Sequence, residues 1–244
     1  MKKLPTFPYY GFMFSTKTLL GELSLERICR MIKGMKIFLI WVLAFCAAWV
    51  LESGDVRAGQ SKDTGTVLII GDSLTAGLGV LPEQAYPSLL ETMLIKSGKD
   101  GYRIINGGIS GSTSAGAYSR LKWYLKIKPD LVLLALGAND GLRGLPVAQM
   151  EKNLDKSISL AKEKGLKVIL CGMEVPPNYG EKYTRDFRQV FPTLSVKHGI
   201  TLLPFLLDGV AGHPELNQAD GIHPNARGHE VIARLVFPYI MEAL

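Results

Sequence analysis

From Thr66 onward, short apolar runs alternate with stretches in which apolar residues recur at helical spacing. The runs Val67–Ile70, Arg103–Asn106, Leu131–Leu136, Lys167–Leu170 and Ile200–Leu203 are continuous rather than alternating, the pattern of strands covered on both faces. Between them, Leu89, Leu90, Met93 and Leu94 fall on one helical stripe, with Pro87 in the first turn and Gly98 placed to cap the end. Leu154, Ile158 and Ala161 make a second stripe ahead of Gly165. Phe187, Phe191 and Leu194 make a third, and Val231, Ile232, Leu235 and Val236 the last. This alternation predicts an α/β domain, a mostly parallel central sheet with helices on both faces. In such sheets ligands sit beyond the carboxyl ends of the strands, so chemistry is expected directly after each run.

The segment before the domain follows a different pattern. Ile37 to Leu51 is fifteen residues without a charge, preceded by Arg27, Arg30, Lys33 and Lys36. A spanning helix needs about 20 apolar residues and a signal-peptide core about 7–15. Val56 and Ala58 fit a small-residue cleavage site, so the chain is expected to be exported, periplasmic or secreted, with a cut near Ala58. The alternative is an uncleaved membrane anchor at residues 37–51, the sole membrane contact the sequence suggests. A lipidated Cys46 is disfavoured because bulky Phe45 precedes it, and Met31 or Met35 can serve as the start in place of Met1. The domain division is therefore 1–58, extension and signal, and 59–244, the functional domain. Cleavage removes Cys29 and Cys46 and leaves Cys171 alone, so no internal disulfide is expected in the exported part.

Charge changes the picture little. The whole chain carries +6, but residues 1–58 hold 8 of the 28 basic and 4 of the 22 acidic groups. The remainder is close to neutral, which gives no footprint for a nucleic-acid backbone. Hydrophobic residues make up 47% and charged residues 20%, with 26 Gly and 13 Pro, which excludes collagenous, disordered and disulfide-scaffold classes. No repeat or low-complexity tract follows residue 65.

Three polar clusters follow the runs directly, and a fourth stands shortly before the last helical stripe. Gly71-Asp72-Ser73-Leu74-Thr75-Ala76-Gly77 places a Ser on a Gly-flanked turn, either as a helix cap or as an exposed hydroxyl. It is not the nucleophile elbow of α/β-hydrolases, because Thr75 stands where that motif needs Gly. Asn106-Gly107-Gly108-Ile109-Ser110-Gly111 offers backbone N–H groups to an anion; Asn106 in place of the first Gly argues against a dinucleotide loop. Gly137-Ala138-Asn139-Asp140 places an Asn just past a buried strand, where a turn cap is the plain alternative. Asp220-Gly221-Ile222-His223-Pro224 puts a carboxylate three residues ahead of a His, close enough to orient its ring as a base. His229 and Glu230 are expected on a helix surface, His198 and His213 in loops. A zinc site lacks a third ligand.

Taken in order, these clusters resemble the blocks of the GDSL, or SGNH, hydrolase family over about residues 66–240. Within it the chain is most similar to the periplasmic arylesterase, acyl-CoA thioesterase I and lysophospholipase branch. Gly137–Gly144, Pro176-Pro177-Asn178-Tyr179-Gly180 and Leu203-Pro204-Phe205 extend the likeness. Ser112 departs from it where many members have Asp. The resemblance implies a flavodoxin-like α/β/α fold, Ser73 as nucleophile, His223 as base and Asp220 as its orienting partner. It also implies an oxyanion hole from the N–H groups of Ser73 and Gly111 and the amide of Asn139, with no metal or organic cofactor. Asp72 is assigned no catalytic role.

Leu74, Leu78, Leu142 and Leu145 lie near the reactive loops and are candidates to line an acyl groove; the alternative for each is a core position. The expected substrate is a small-molecule acyl ester or thioester, aryl or short-to-medium chain, and the expected state a monomer. Two other readings stand beside this one. A carbohydrate O-deacetylase of the same family would use an aromatic platform, for which Tyr179 and Tyr183 are the candidates. A non-catalytic binding module on the same fold would be expected to have lost at least one of Ser73, Gly111, Asn139, Asp220 and His223.

Overall fold

Strand β1 (Gly65–Gly71) has Val67 to Ile70 fully buried, and β3 (Leu131–Ala135) is buried along its whole length. Such strands need protein on both faces, and the sheet supplies it. The remaining strands are β2 (Tyr102–Asn106), β4 (Lys167–Cys171) and β5 (Thr201–Leu203). The computed structural model describes residues 30–35 and 64–244. In these the five strands lie in the order β2-β1-β3-β4-β5, every pairing parallel. The mostly parallel sheet expected from the apolar runs is here wholly parallel, in the flavodoxin-like order.

Two helices cover one face. Helix α2 (Tyr86–Lys96) packs against α7 (Ala226–Ala243), and α7 also touches β4 and β5. On the other face α5 (Val147–Glu163) lies between α3 (Ala117–Tyr124) and α6 (Glu181–His198). Two shorter pieces, α1 (Ser73–Ala76) and α4 (Ala138–Leu142), follow β1 and β3 directly. The stripes read from the sequence are the buried faces: Leu90 and Leu94 in α2, Leu154, Ile158 and Ala161 in α5, Phe187, Phe191 and Leu194 in α6. Burying each large apolar side chain of this kind stabilises the fold by about 1.5–3 kcal/mol. Helix α3 has no such stripe, because Ala117 and Leu121 are its two buried positions.

The chain divides into two units, residues 1–60 and 61–244. In the first, residues 30–35 are helical and exposed. The apolar run 37–51, Ala58, Cys29 and Cys46 lie outside the described residues. Among the described residues no helix is long and apolar enough to cross a membrane.

Three expectations are corrected by the packing. His229 is not a surface group: it is 1% exposed on the inner side of α7, stacked on Tyr86. His198 is the last residue of α6 rather than a loop residue, and its Nε2 lies 2.6 Å from Asp155 Oδ1. Leu74 is 4% exposed and belongs to the hydrophobic core, so it is not a groove residue.

Candidate active site

The β2-β1-β3-β4-β5 order places a switch point between β1 and β3, where helices leave toward opposite faces and open a crevice at the strand carboxyl ends. Gly71 at the end of β1 is in register with Ala135 at the end of β3. Ser73 follows the first by two residues and Asn139 the second by four, so these clusters share one rim.

Asp72 caps the turn that carries Ser73, its Oδ1 accepting the N–H of Leu74 at 3.0 Å. The Ser73 N–H opens that turn, where no carbonyl a turn earlier is available to accept it. Glycines let the β2 loop approach closely. A Cβ on Gly108 would stand 2.3 Å from the backbone N of Ala76 in α1, so only glycine fits there. Asn106 locks the approach: its Nδ2 donates to Thr75 O at 2.9 Å, and its Oδ1 accepts from Gly108 N at 2.9 Å. Gly111 adopts φ +75, the left-handed region that glycine enters without strain.

The Asp220 cluster arrives from the far end of the chain. His223 Nε2 lies 2.9 Å from Ser73 Oγ, and His223 Nδ1 lies 2.7 Å from Asp220 Oδ2. Asp220 Oδ1 accepts the backbone N–H groups of Ile222 and His223, each at 3.0 Å. These bonds, the one to the His223 ring foremost, hold the Asp220 carboxyl down at about 2. Its carboxylate is therefore ionised at any working pH. The imidazole, oriented through Nδ1, presents Nε2 to a hydroxyl, which is the arrangement that makes serine a nucleophile.

Several residues hold the site together without having stood out in the sequence. Gln218 Nε2 donates to Leu78 O at 2.7 Å and Pro224 O at 3.0 Å, and its own N–H donates to His223 O at 2.7 Å. Asp140, 3% exposed, accepts from Ser114 N at 2.7 Å and Ser114 Oγ at 2.6 Å, tying α4 to the β2 loop. Arg143 Nη2 donates to Gly111 O at 2.8 Å. The Asn–Asp pair at 139–140 was the one visible signal for Asp140; nothing local marked Gln218.

Of the other groove candidates, Leu78, Leu142 and Leu145 are exposed. Ile109 in the β2 loop and Ile222 between Asp220 and His223 are exposed as well, so apolar side chains stand on every loop of the site. Tyr179 and Tyr183 stack at 6.1 Å, but their hydroxyls donate to Leu142 O and Leu145 O at 2.8 and 2.9 Å. They brace the 142–145 segment and line a surface pocket of about 430 Å³ that contains none of Ser73, Asp220 or His223. Among the described residues no group of three His, Cys, Asp or Glu is placed to hold a metal ion.

Residues 69–231 match the model of the GDSL-like lipase/acylhydrolase family. The chain belongs to this family. Relatives that align over most of the chain agree. An arylesterase of Vibrio mimicus is 40% identical over 83% of this chain and 96% of its own. The thioesterase 1/protease 1/lysophospholipase L1 of Escherichia coli strain K12 is 37% identical over 69% of this chain and 79% of its own. The crystal structure of TesA superposes with a TM-score of 0.71 at 41% identity, covering 73% of this chain and 99% of that one. The α/β/α fold is thus that of known GDSL-family hydrolases.

Proposed function

We propose that this GDSL-family chain hydrolyses aryl and short-to-medium acyl esters or thioesters, lysophospholipids included, through an acyl-enzyme on Ser73. The observation that carries the reading is the hydrogen-bonded line Asp220–His223–Ser73 at 2.7 and 2.9 Å. Ser73 Oγ attacks the acyl carbonyl while His223 Nε2 takes its proton. The tetrahedral oxyanion is met by the N–H groups of Ser73 and Gly111 and by the Asn139 amide. His223 then hands its proton to the departing alkoxide or thiolate, which leaves the acyl group on Ser73. Water, deprotonated by His223, repeats the sequence and frees the acid. Asp220 holds the imidazole in the tautomer that both halves need. No metal or organic cofactor takes part.

Exposed Leu78, Leu142 and Leu145, with Ile109 and Ile222, offer an apolar surface to the acyl chain. The names of the relatives, an arylesterase and a thioesterase/lysophospholipase, favour this substrate class over sugar acetates. We read the protein as a monomer, exported on its uncharged 37–51 segment, with cleavage near Ala58. Peptide mass mapping of the N-terminus of protein recovered from the periplasm or medium checks the cut; a cell-retained chain with residues 37–51 intact would favour the anchor.

The activity is tested with p-nitrophenyl esters from acetyl to palmitoyl, beside Ser73→Ala. Turnover that vanishes in the variant supports the acyl-enzyme, and the chain-length optimum measures the apolar surface. A folded protein inert on all of these but active on acetylated sugars would reassign it as a deacetylase.

A further inference from the structure

The carboxylate of Asp72 is a buried acid beside the nucleophile that the reaction sequence above leaves without a task. It is 1% exposed, its Oδ1 accepts the N–H of Leu74 at 3.0 Å, and its Oδ2 accepts Asn139 Nδ2 at 3.2 Å. An amide NH₂ has two N–H bonds about 120° apart. With one directed at Asp72, the nitrogen edge of Asn139 is fixed in place and the second N–H points away from the carboxylate. A side-chain amide has no preference of its own for which edge, Nδ2 or Oδ1, faces a reacting oxygen. A buried acceptor supplies one, since Oδ1 turned toward Asp72 would set two acceptors against each other.

The backbone on either side of the site is held by Arg120. Arg120 Nη1 donates to Gly71 O at 2.7 Å and to Gly107 O at 3.0 Å, so its guanidinium clips the end of β1 to the start of the β2 loop. Burial pushes the Arg120 guanidinium below its ordinary pKa, and the nearby Asp72 carboxylate opposes that shift. Burial raises the Asp72 carboxyl above its ordinary value, against the lowering by the Leu74 N–H and the Asn139 amide.

We infer that Asp72 is the positioning residue of the oxyanion hole: it selects the amide orientation of Asn139 in which an N–H is presented to the developing oxyanion. The assignment rests on the reading of Asn139 as an oxyanion donor. It predicts that Asp72 acts on turnover and not on substrate affinity, and that it acts through Asn139 alone. In Asp72→Asn one acceptor oxygen must serve two donors, Leu74 N–H and Asn139 Nδ2. In Asp72→Ser the cap to Leu74 is kept and the acceptor for Asn139 is lost.

The test is a double-mutant cycle on full-length protein with a p-nitrophenyl ester, with thermal melting of every variant. Asp72→Asn and Asp72→Ser are each expected to lower kcat 10- to 10²-fold with KM within threefold. In an Asn139→Ala background the same substitutions are expected to change kcat by less than threefold, because the residue they orient is gone. A kcat loss of equal size in both backgrounds would overturn the assignment, as would a kcat within threefold of the parent for a folded Asp72→Ser. If Asn139→Ala alone leaves kcat within threefold, the oxyanion reading fails first and the inference fails with it. Should Asp72→Asn not fold, the Ser variant carries the cycle.

Discussion

His223 Nε2 stands 2.9 Å from Ser73 Oγ although 150 residues separate the two in the chain. Neither residue sets that distance itself. Gln218 ties the two segments together, because one amide donates both to Leu78 O beside the serine turn and to Pro224 O beside the histidine. Gln218→Ala is expected to lower kcat by between about 10- and 10²-fold, the range a displacement near 1 Å costs. It should also lower stability by about 1 kcal/mol, the net worth of hydrogen bonds whose acceptors water can partly reach. Steady-state kinetics and urea unfolding measure both.

The oxyanion reading of Asn139 predicts a selective loss. Asn139→Ala should reduce kcat by about 10²–10³ with KM little changed, since the donor acts on charge that develops in the transition state. A comparable rise in KM at constant kcat would move the residue to ground-state binding.

Asp220 has its carboxyl held at about 2, so it is ionised throughout the pH range of an assay. It should contribute no inflection to kcat/KM between pH 4 and 9. Asp220→Asn should lower kcat by about 10²–10⁴, through loss of the correct imidazole tautomer. An inflection near pH 4–5 that disappears in Asp220→Asn would contradict the hydrogen bonding described for this carboxylate.

The buried His229 sets a pH dependence on stability. Its Nδ1 accepts the Tyr86 N–H at 3.3 Å, and burial depresses its pKa from 6.5 to about 4. Between those values the unfolded chain binds the proton and the folded chain does not. Stability is therefore expected to fall as pH drops from about 6.5 to about 4, by up to about 3 kcal/mol, and this contribution is constant below that. His229→Asn keeps an acceptor for Tyr86 N–H and should flatten the slope in urea unfolding taken at several pH values.

Much of this architecture could be read along the chain because buried parallel strands announce themselves as unbroken apolar runs. Each of the five expected runs is a strand, with ends within two residues of those expected. The helix at 117–124 could not be read the same way, since Ala117 and Leu121 alone face inward. Ser73, Asp220 and His223 were legible from the order of the four polar clusters and the family likeness it carries, since each cluster alone also suits a cap or a turn; the structure brings the three within hydrogen-bonding distance. Leu74 was misjudged because a leucine beside a reactive serine has the same composition whether it faces the crevice or the core. His229 was misjudged because a polar residue in a helix is assigned outward by default, and its partner Tyr86 is 143 residues away. The Asp72–Asn139 bond joins residues 67 positions apart, which no local pattern displays.

Cys171 is the thiol that the sheet encloses, fully buried in β4, and burial pushes its pKa far up. It is expected to resist iodoacetamide in the native protein and to react once denaturant is added, with peptide mapping to locate the label. Labelling of Cys171 at native rates equal to those of free thiol would mean that the β4–β5 side of the sheet opens.

The nucleophile turn opens the folded domain, whereas Asp220 and His223 come within its last 25 residues, ahead of a helix that docks on α2. During synthesis every strand of the sheet, and the serine itself, leaves the ribosome before the base does. A chain cut off after β5 has its nucleophile but nothing to deprotonate it. On the roles proposed above, hydrolysis thereby waits for the segment that carries the base.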